Sequence, residues 1–71
     1  MYSAYVMTKS ARDGSIQHVI ANGVTAKGMT SDLRRYVAKM SKHSPHSIYA
    51  KVHLWCVTGG VYDVKRLSDY M

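Results

Sequence analysis

The sequence predicts a small two-layer α+β domain, an antiparallel sheet carrying one well-defined amphipathic helix. Three observations point there: two Tyr-, Val- and Ile-rich segments on either side of Asp13-Gly14, a stretch of helical apolar period from Ser31 to Lys42, and an alternating run from Ile48 to Thr58. The whole chain, 1–71, reads as a single domain, because 71 residues leave no room for a second core. A chain this short buries only about 60% of the surface that its unfolded form exposes. Helix and sheet must therefore pack with little redundancy, or a partner must cover part of what one chain cannot bury, a homodimer among the options.

The first two segments, residues 2–9 and 15–21, suit strands, and Asp13-Gly14 suits a two-residue hairpin corner because both residues tolerate positive φ. That corner sets Arg12 opposite Ser15, Lys9 opposite His18 and Met7 opposite Ile20. One face then carries Tyr5, Met7, Ile16 and Ile20 with Lys9 and His18, and the other Ala4, Val6, Thr8, Val19 and Ala21. Neither is cleanly polar, so either both sides of the sheet are partly covered or the register is off by one. Asn22-Gly23 marks a second corner, and residues 24–29 form either a short edge strand or a loop.

The helix is expected over 31–42, with Thr30 or Ser31 as its cap and Asp32 in the first turn, where the helix dipole favours a negative charge. Leu33, Tyr36, Val37 and Met40 fall at i, i+3, i+4 and i+7, the spacing of a buried stripe. Arg34, Arg35, Lys39 and Lys42 gather in the opposite sector, and Pro45 limits the helix end. In the run 48–58, Ile48, Ala50, Val52, Leu54 and Cys56 form an apolar face, and Tyr49, Lys51, His53, Trp55 and Val57 point the other way. For the tail, a Gly59-Gly60 hairpin would pair Asp63 with Cys56 and Lys65 with Leu54, charges against the apolar face, whereas a helix from about Tyr62 gathers Val64, Leu67 and Met71 on one side. The helix is preferred, which gives the order ββαβα, with ββαββ as the alternative.

Charge is the strongest compositional signal. Ten Lys and Arg against four Asp, with no Glu, give a net +6, of which residues 32–60 hold +4 and residues 61–71 sum to zero. Such a balance argues for an anionic partner, whether nucleic acid, an acidic protein or an anionic lipid surface. Of these, nucleic acid or an acidic protein surface is the expected partner and a membrane is not, although solubility alone also accounts for the charge. The helix cations Arg34, Arg35, Lys39 and Lys42 suit phosphate contacts more than base readout, since the face offers few base-reading amides. A solvated polar face is the plain alternative. Tyr49, Lys51, His53 and Trp55 alternate aromatic and basic character as a platform for stacking single-stranded bases would, and Tyr5 extends the row. Packing of Trp55 and Tyr49 under a C-terminal helix, or in a protein contact, explains the same pattern.

Other chemistries fare worse. His43, His46, His53 and Cys56 are zinc-compatible types, but residues three apart on a strand face opposite sides, so His53 and Cys56 do not converge. No metal and no cofactor is expected. Asp13, Asp32, Asp63 and Asp69 each have a turn, cap or surface role open to them, Cys56 sits on an apolar face, and the glycines form no phosphate loop. A binding protein is expected, and not an enzyme. The first residues do not read as an export signal, no run is long enough to cross a bilayer, and the lone Cys56 gives no disulfide. The cytoplasm is the expected location.

Overall fold

The computed structural model describes residues 1–10 and 14–71, with the side chains of residues 8–10 and 14–15 outside that description. The chain runs β1 (Tyr2–Ser10), β2 (Gly14–Gly23), α1 (Ala26–His43), a 3-10 turn (Pro45–Tyr49), β3 (Lys51–Cys56), β4 (Gly60–Arg66) and a second 3-10 turn (Leu67–Tyr70). The four strands form one antiparallel sheet in the order β2-β1-β3-β4. The fold class is α+β as expected, and the order is ββαββ, the alternative and not the preferred one.

Helix α1 packs on one face of the sheet, against β2 and β1. Between the layers lie Ala4, Ala21, Met29, Leu33, Val37, Ile48, Val52, Leu54 and Leu67, all buried, with Tyr2, Val6, Ile20, Tyr36 and Tyr70 packed around them. The helix starts a turn and a half before the expected point. Thr25 caps it by accepting the Gly28 N–H at 3.0 Å, and Thr30 lies inside it, donating to the Ala26 carbonyl. Residues 26–29 are thus neither strand nor loop. The stripe extends back to Met29 at i–4 from Leu33, and burying that side chain contributes about 1.5–3 kcal/mol, more than the roughly 1 kcal/mol that Gly28 costs in a helix. Asp32, outside the first turn, instead accepts the Asn22 N–H at 3.1 Å and ties the helix to β2.

The first hairpin departs from the expected register. Ser10 pairs with Gly14 and Met7 with Gln17, not Ile20, and the register shifts between Ala4 and Tyr5. Arg12 and Asp13 lie outside the described residues. The shift makes Ile20 an extra residue on β2, so Val19 and Ala21 face opposite sides although they are two apart. This explains the mixed faces of the sequence pattern.

The tail is a strand because Gly60 adopts φ 71°, a conformation open to glycine, after the short connection Val57–Gly59. Asp63 sits opposite Leu54 and Lys65 opposite Val52, not Cys56 and Leu54, because the register shifts between Leu54 and Trp55, and both charged residues are exposed. The strand is at the sheet edge and α1 lies toward the other edge, so water reaches these charges. Leu67 closes the core on this side, its N–H donating to the Ala50 carbonyl at 3.1 Å. The segment 48–58 is also shorter as a strand than expected. Ile48 is buried from the 3-10 turn, Tyr49 sits in that turn and Ala50 is exposed.

Candidate nucleic-acid interface

Because the one long helix among the described residues covers one face, no described element lies over the other face of the sheet. Side chains come to it in cross-strand rows set by the register. Val19, Tyr5, His53 and Val64 form one row, and Asn22, Ser3, Trp55 and Val61 the next. Lys51 stands opposite Arg66 at the end of β3. The Tyr5 ring and the His53 imidazole are stacked, with centroids 5.0 Å apart and planes 7° from parallel. Ser3 donates from its hydroxyl to Asn22 Oδ1 at 2.8 Å and fixes a polar anchor beside Trp55. Trp55 is half-buried, and Ser3, Tyr5, Gln17, Val19, Trp55 and Val61 line a shallow open depression.

Three of the four residues expected to form the platform, Lys51, His53 and Trp55, do share this strand face. Tyr49 does not. It lies in the 3-10 turn with its ring exposed, and its carbonyl accepts from the Arg66 guanidinium at 3.3 Å. Pro45 starts that turn two residues after α1 ends, which keeps the chain from extending until Lys51. Tyr5 takes the place of Tyr49 in the row. Arg66 carries no signal in the sequence pattern because its position beside Lys51 depends on β4 being a strand. No C-terminal helix covers Trp55, which rules out that account of the ring.

The basic helix residues Arg34, Arg35, Lys39 and Lys42 are all exposed on the far side of α1. They divide between its flanks. Arg35 and Lys39 border a depression with Ile20, Asp32 and Tyr36, and Arg34 and Lys42 border another with Tyr70. Burial pushes the Tyr70 phenol above its ordinary pKa, an effect that neighbouring acidic groups reinforce and Arg34 opposes. With a molecule only 14 Å through its shortest dimension, the helix cations and the sheet platform lie back to back. The two groups of site residues are therefore not one continuous surface.

No family profile, curated protein or solved structure matches the chain. The site must be read from its own chemistry.

Among the described residues, no group of three or more His, Cys, Asp or Glu is placed to hold a metal ion, and no helix is long and apolar enough to cross a membrane. The described carboxylates are engaged with backbone: Asp32 with Asn22, Asp63 with Val64 at 2.8 Å and Asp69 with Arg66 at 3.0 Å. Cys56 lies at the hairpin end of β3 with Sγ 3.2 Å from Thr58 Oγ1, and this contact with the Thr58 and Gly59 backbone N–H groups holds its pKa below the ordinary thiol value. Nearby, Tyr62 meets Tyr2 edge-on at 6.2 Å, and burial raises its phenol.

Proposed function

We propose that this protein is a nucleic-acid-binding protein of the cytoplasm, without catalytic activity, that takes single-stranded nucleic acid on the open face of its sheet. The observation that carries the reading is the stacked Tyr5–His53 pair in the centre of an uncovered sheet face, with Trp55 one row along. Flat rings at successive rows suit successive bases, and each base stacked on an aromatic side chain is worth about 1–3 kcal/mol regardless of its identity. Lys51 and Arg66 at the end of the platform are placed for the phosphates of such a strand. Arg34, Arg35, Lys39 and Lys42 act from the opposite side, drawing in phosphates of flanking nucleic acid without reading bases.

A second reading, a module that binds an acidic protein, draws on a specific observation as well. Met7, Val19, Val61 and Val64 are 41%, 58%, 45% and 46% exposed on or around the platform, an apolar rim that a protein partner would cover. The basic charge would then speed encounter and select the partner.

Trp55, the only tryptophan, separates the two readings. Titration with a mixed-sequence single-stranded oligonucleotide at low salt is expected to quench its emission, with an affinity that falls as salt rises. Unchanged emission together with no salt-dependent binding overturns the nucleic-acid reading and leaves the protein partner.

A further inference from the structure

We propose that the patch of Lys51, Lys65 and Arg66 receives a terminal phosphate monoester, so that the sheet face takes the phosphorylated end of a single strand. This rests on the base-stacking reading above. β3 begins at Lys51 and β4 ends at Arg66, and the two residues stand opposite each other. The chain before Lys51 and the chain after Arg66 wind into the two 3-10 turns. A base beyond this row therefore meets no further row of β3 and β4. In the other direction the row of Tyr5 and His53 comes first and that of Trp55 next, so the first bases of the strand have rings to lie on.

Charge is distributed for an end and not for a passage. A single strand carries one phosphate per nucleotide, and a surface that follows its backbone spreads cations along the groove. The row of Tyr5 and His53 and the row of Trp55 hold no Lys, Arg or Asp. Cations gather instead at one end, where Lys51, Lys65 and Arg66 are exposed around one open depression that Val64 and Asp69 also border. Lys65 reaches it from outside, because β4 is an edge strand.

The donors fit a monoester. Three cations and one carboxylate leave the patch at +2. A phosphate monoester carries about −1.5 to −2 near neutral pH, whereas a phosphate within the strand carries a single charge. The Asp69 carboxylate is turned to the Arg66 backbone N–H, which it accepts at 3.0 Å. Arg66 Nη1 donates to the Tyr49 carbonyl at 3.3 Å. That bond commits one of the five guanidinium N–H donors and orients the others for a fork onto phosphate oxygens, with Lys51 as a point charge alongside.

The test uses one mixed-sequence single strand in three forms: 5′-phosphorylated, 3′-phosphorylated and without a terminal phosphate. Each is titrated against the full chain with Trp55 emission as the signal. A phosphorylated form is expected to bind at least about tenfold tighter than the bare strand, the worth of one charge-assisted hydrogen bond. The end that is preferred gives the polarity of the strand on the sheet. Lys51→Gln with Lys65→Gln should bring the ratio of the two affinities close to one, with circular dichroism unchanged because both side chains are exposed. Arg34→Glu with Arg35→Glu, on the far side of α1, should keep the ratio. Equal binding of the three forms overturns the end site and leaves the sheet-face reading standing. A preference that survives in folded Lys51→Gln/Lys65→Gln, or that is lost in Arg34→Glu/Arg35→Glu, also overturns it. Binding of none of the three overturns the reading and the end site together.

Discussion

The Tyr5 ring lies parallel to the His53 imidazole across the two central strands, 5.0 Å away. Both rings are partly buried, so their edges are held by neighbours and little side-chain entropy remains to be lost when a base arrives. Tyr5→Leu keeps apolar bulk and removes the ring. It is expected to weaken single-strand binding by about 1–3 kcal/mol with a small change in thermal stability, measured by fluorescence titration and a thermal melt. Equal loss of melting temperature and binding would mark the pair as structural.

On the opposite side of the molecule, Arg34→Glu with Arg35→Glu should lower affinity without unfolding the chain, since both side chains are exposed. The diagnostic is the salt slope. For every phosphate of a single strand that the variant no longer neutralises, the slope of log K against log salt should fall by about 0.7. An unchanged slope in the folded variant removes the helix from the interface.

The helix stripe and the alternation at Val52 and Leu54 are legible in the sequence because burial imposes period 3.6 on one and 2 on the other, whereas Cys56, expected on the same apolar face, lies outside the buried core. Their neighbours are not. Gly28 and Val24 argue against a helix start that the burial of Met29 decides, and only the packed structure shows that Met29 reaches the core. The tail misleads for a related reason. Asp63 and Lys65 look excluded from a strand that sets them against Cys56 and Leu54, until the register moves them opposite Leu54 and Val52 and the offset of α1 toward β2 leaves them in water. Within the site, period 2 places Lys51, His53 and Trp55 correctly but runs one pleat too far, into Tyr49, because the 3-10 turn carries no alternation signal. The stacking of Tyr5 on His53 depends on register between strands far apart in sequence, which no local pattern encodes.

Leu33 and Leu54 face each other's layers, 0% and 5% exposed. Truncating either to Ala should cost about 2–5 kcal/mol through lost burial and an unfilled cavity. That is a large part of the whole stability of a small domain, roughly 5–15 kcal/mol. Chemical denaturation should show it as a lower midpoint with a similar slope. A midpoint equal to the parent's for Leu33→Ala would contradict the packing of α1 on the sheet.

Gly23 ends β2 where the helix backbone passes over it, and a Cβ there would run into Met29 N and the Gly28 carbonyl carbon. Backbone cannot move aside as a flexible side chain can. Gly23→Ala is therefore expected to destabilise the fold by about 1–3 kcal/mol, the range for overpacking, although alanine usually stabilises an unstrained site. Gly59→Ala meets nothing nearby and serves as the control. A melt that ranks the two variants the other way round would mean that α1 starts farther from β2.

Cys56 offers a pH-dependent readout of the β3–β4 hairpin. The Thr58 hydroxyl is its main stabilising partner at 3.2 Å, and the Thr58 and Gly59 N–H groups add to it. Hydrogen bonds donated to sulfur favour the charged form, so the thiolate persists to lower pH than in an unperturbed cysteine. Only the thiolate is alkylated at a useful rate. The rate of reaction with iodoacetamide should therefore rise with pH through a midpoint below that of a free thiol. Thr58→Val keeps the β-branched shape and removes the hydroxyl, so its midpoint should move up toward the free value while the backbone donors hold part of the shift. Identical midpoints for parent and variant would show that the hydroxyl does not donate to sulfur and that the turn orders Thr58 differently.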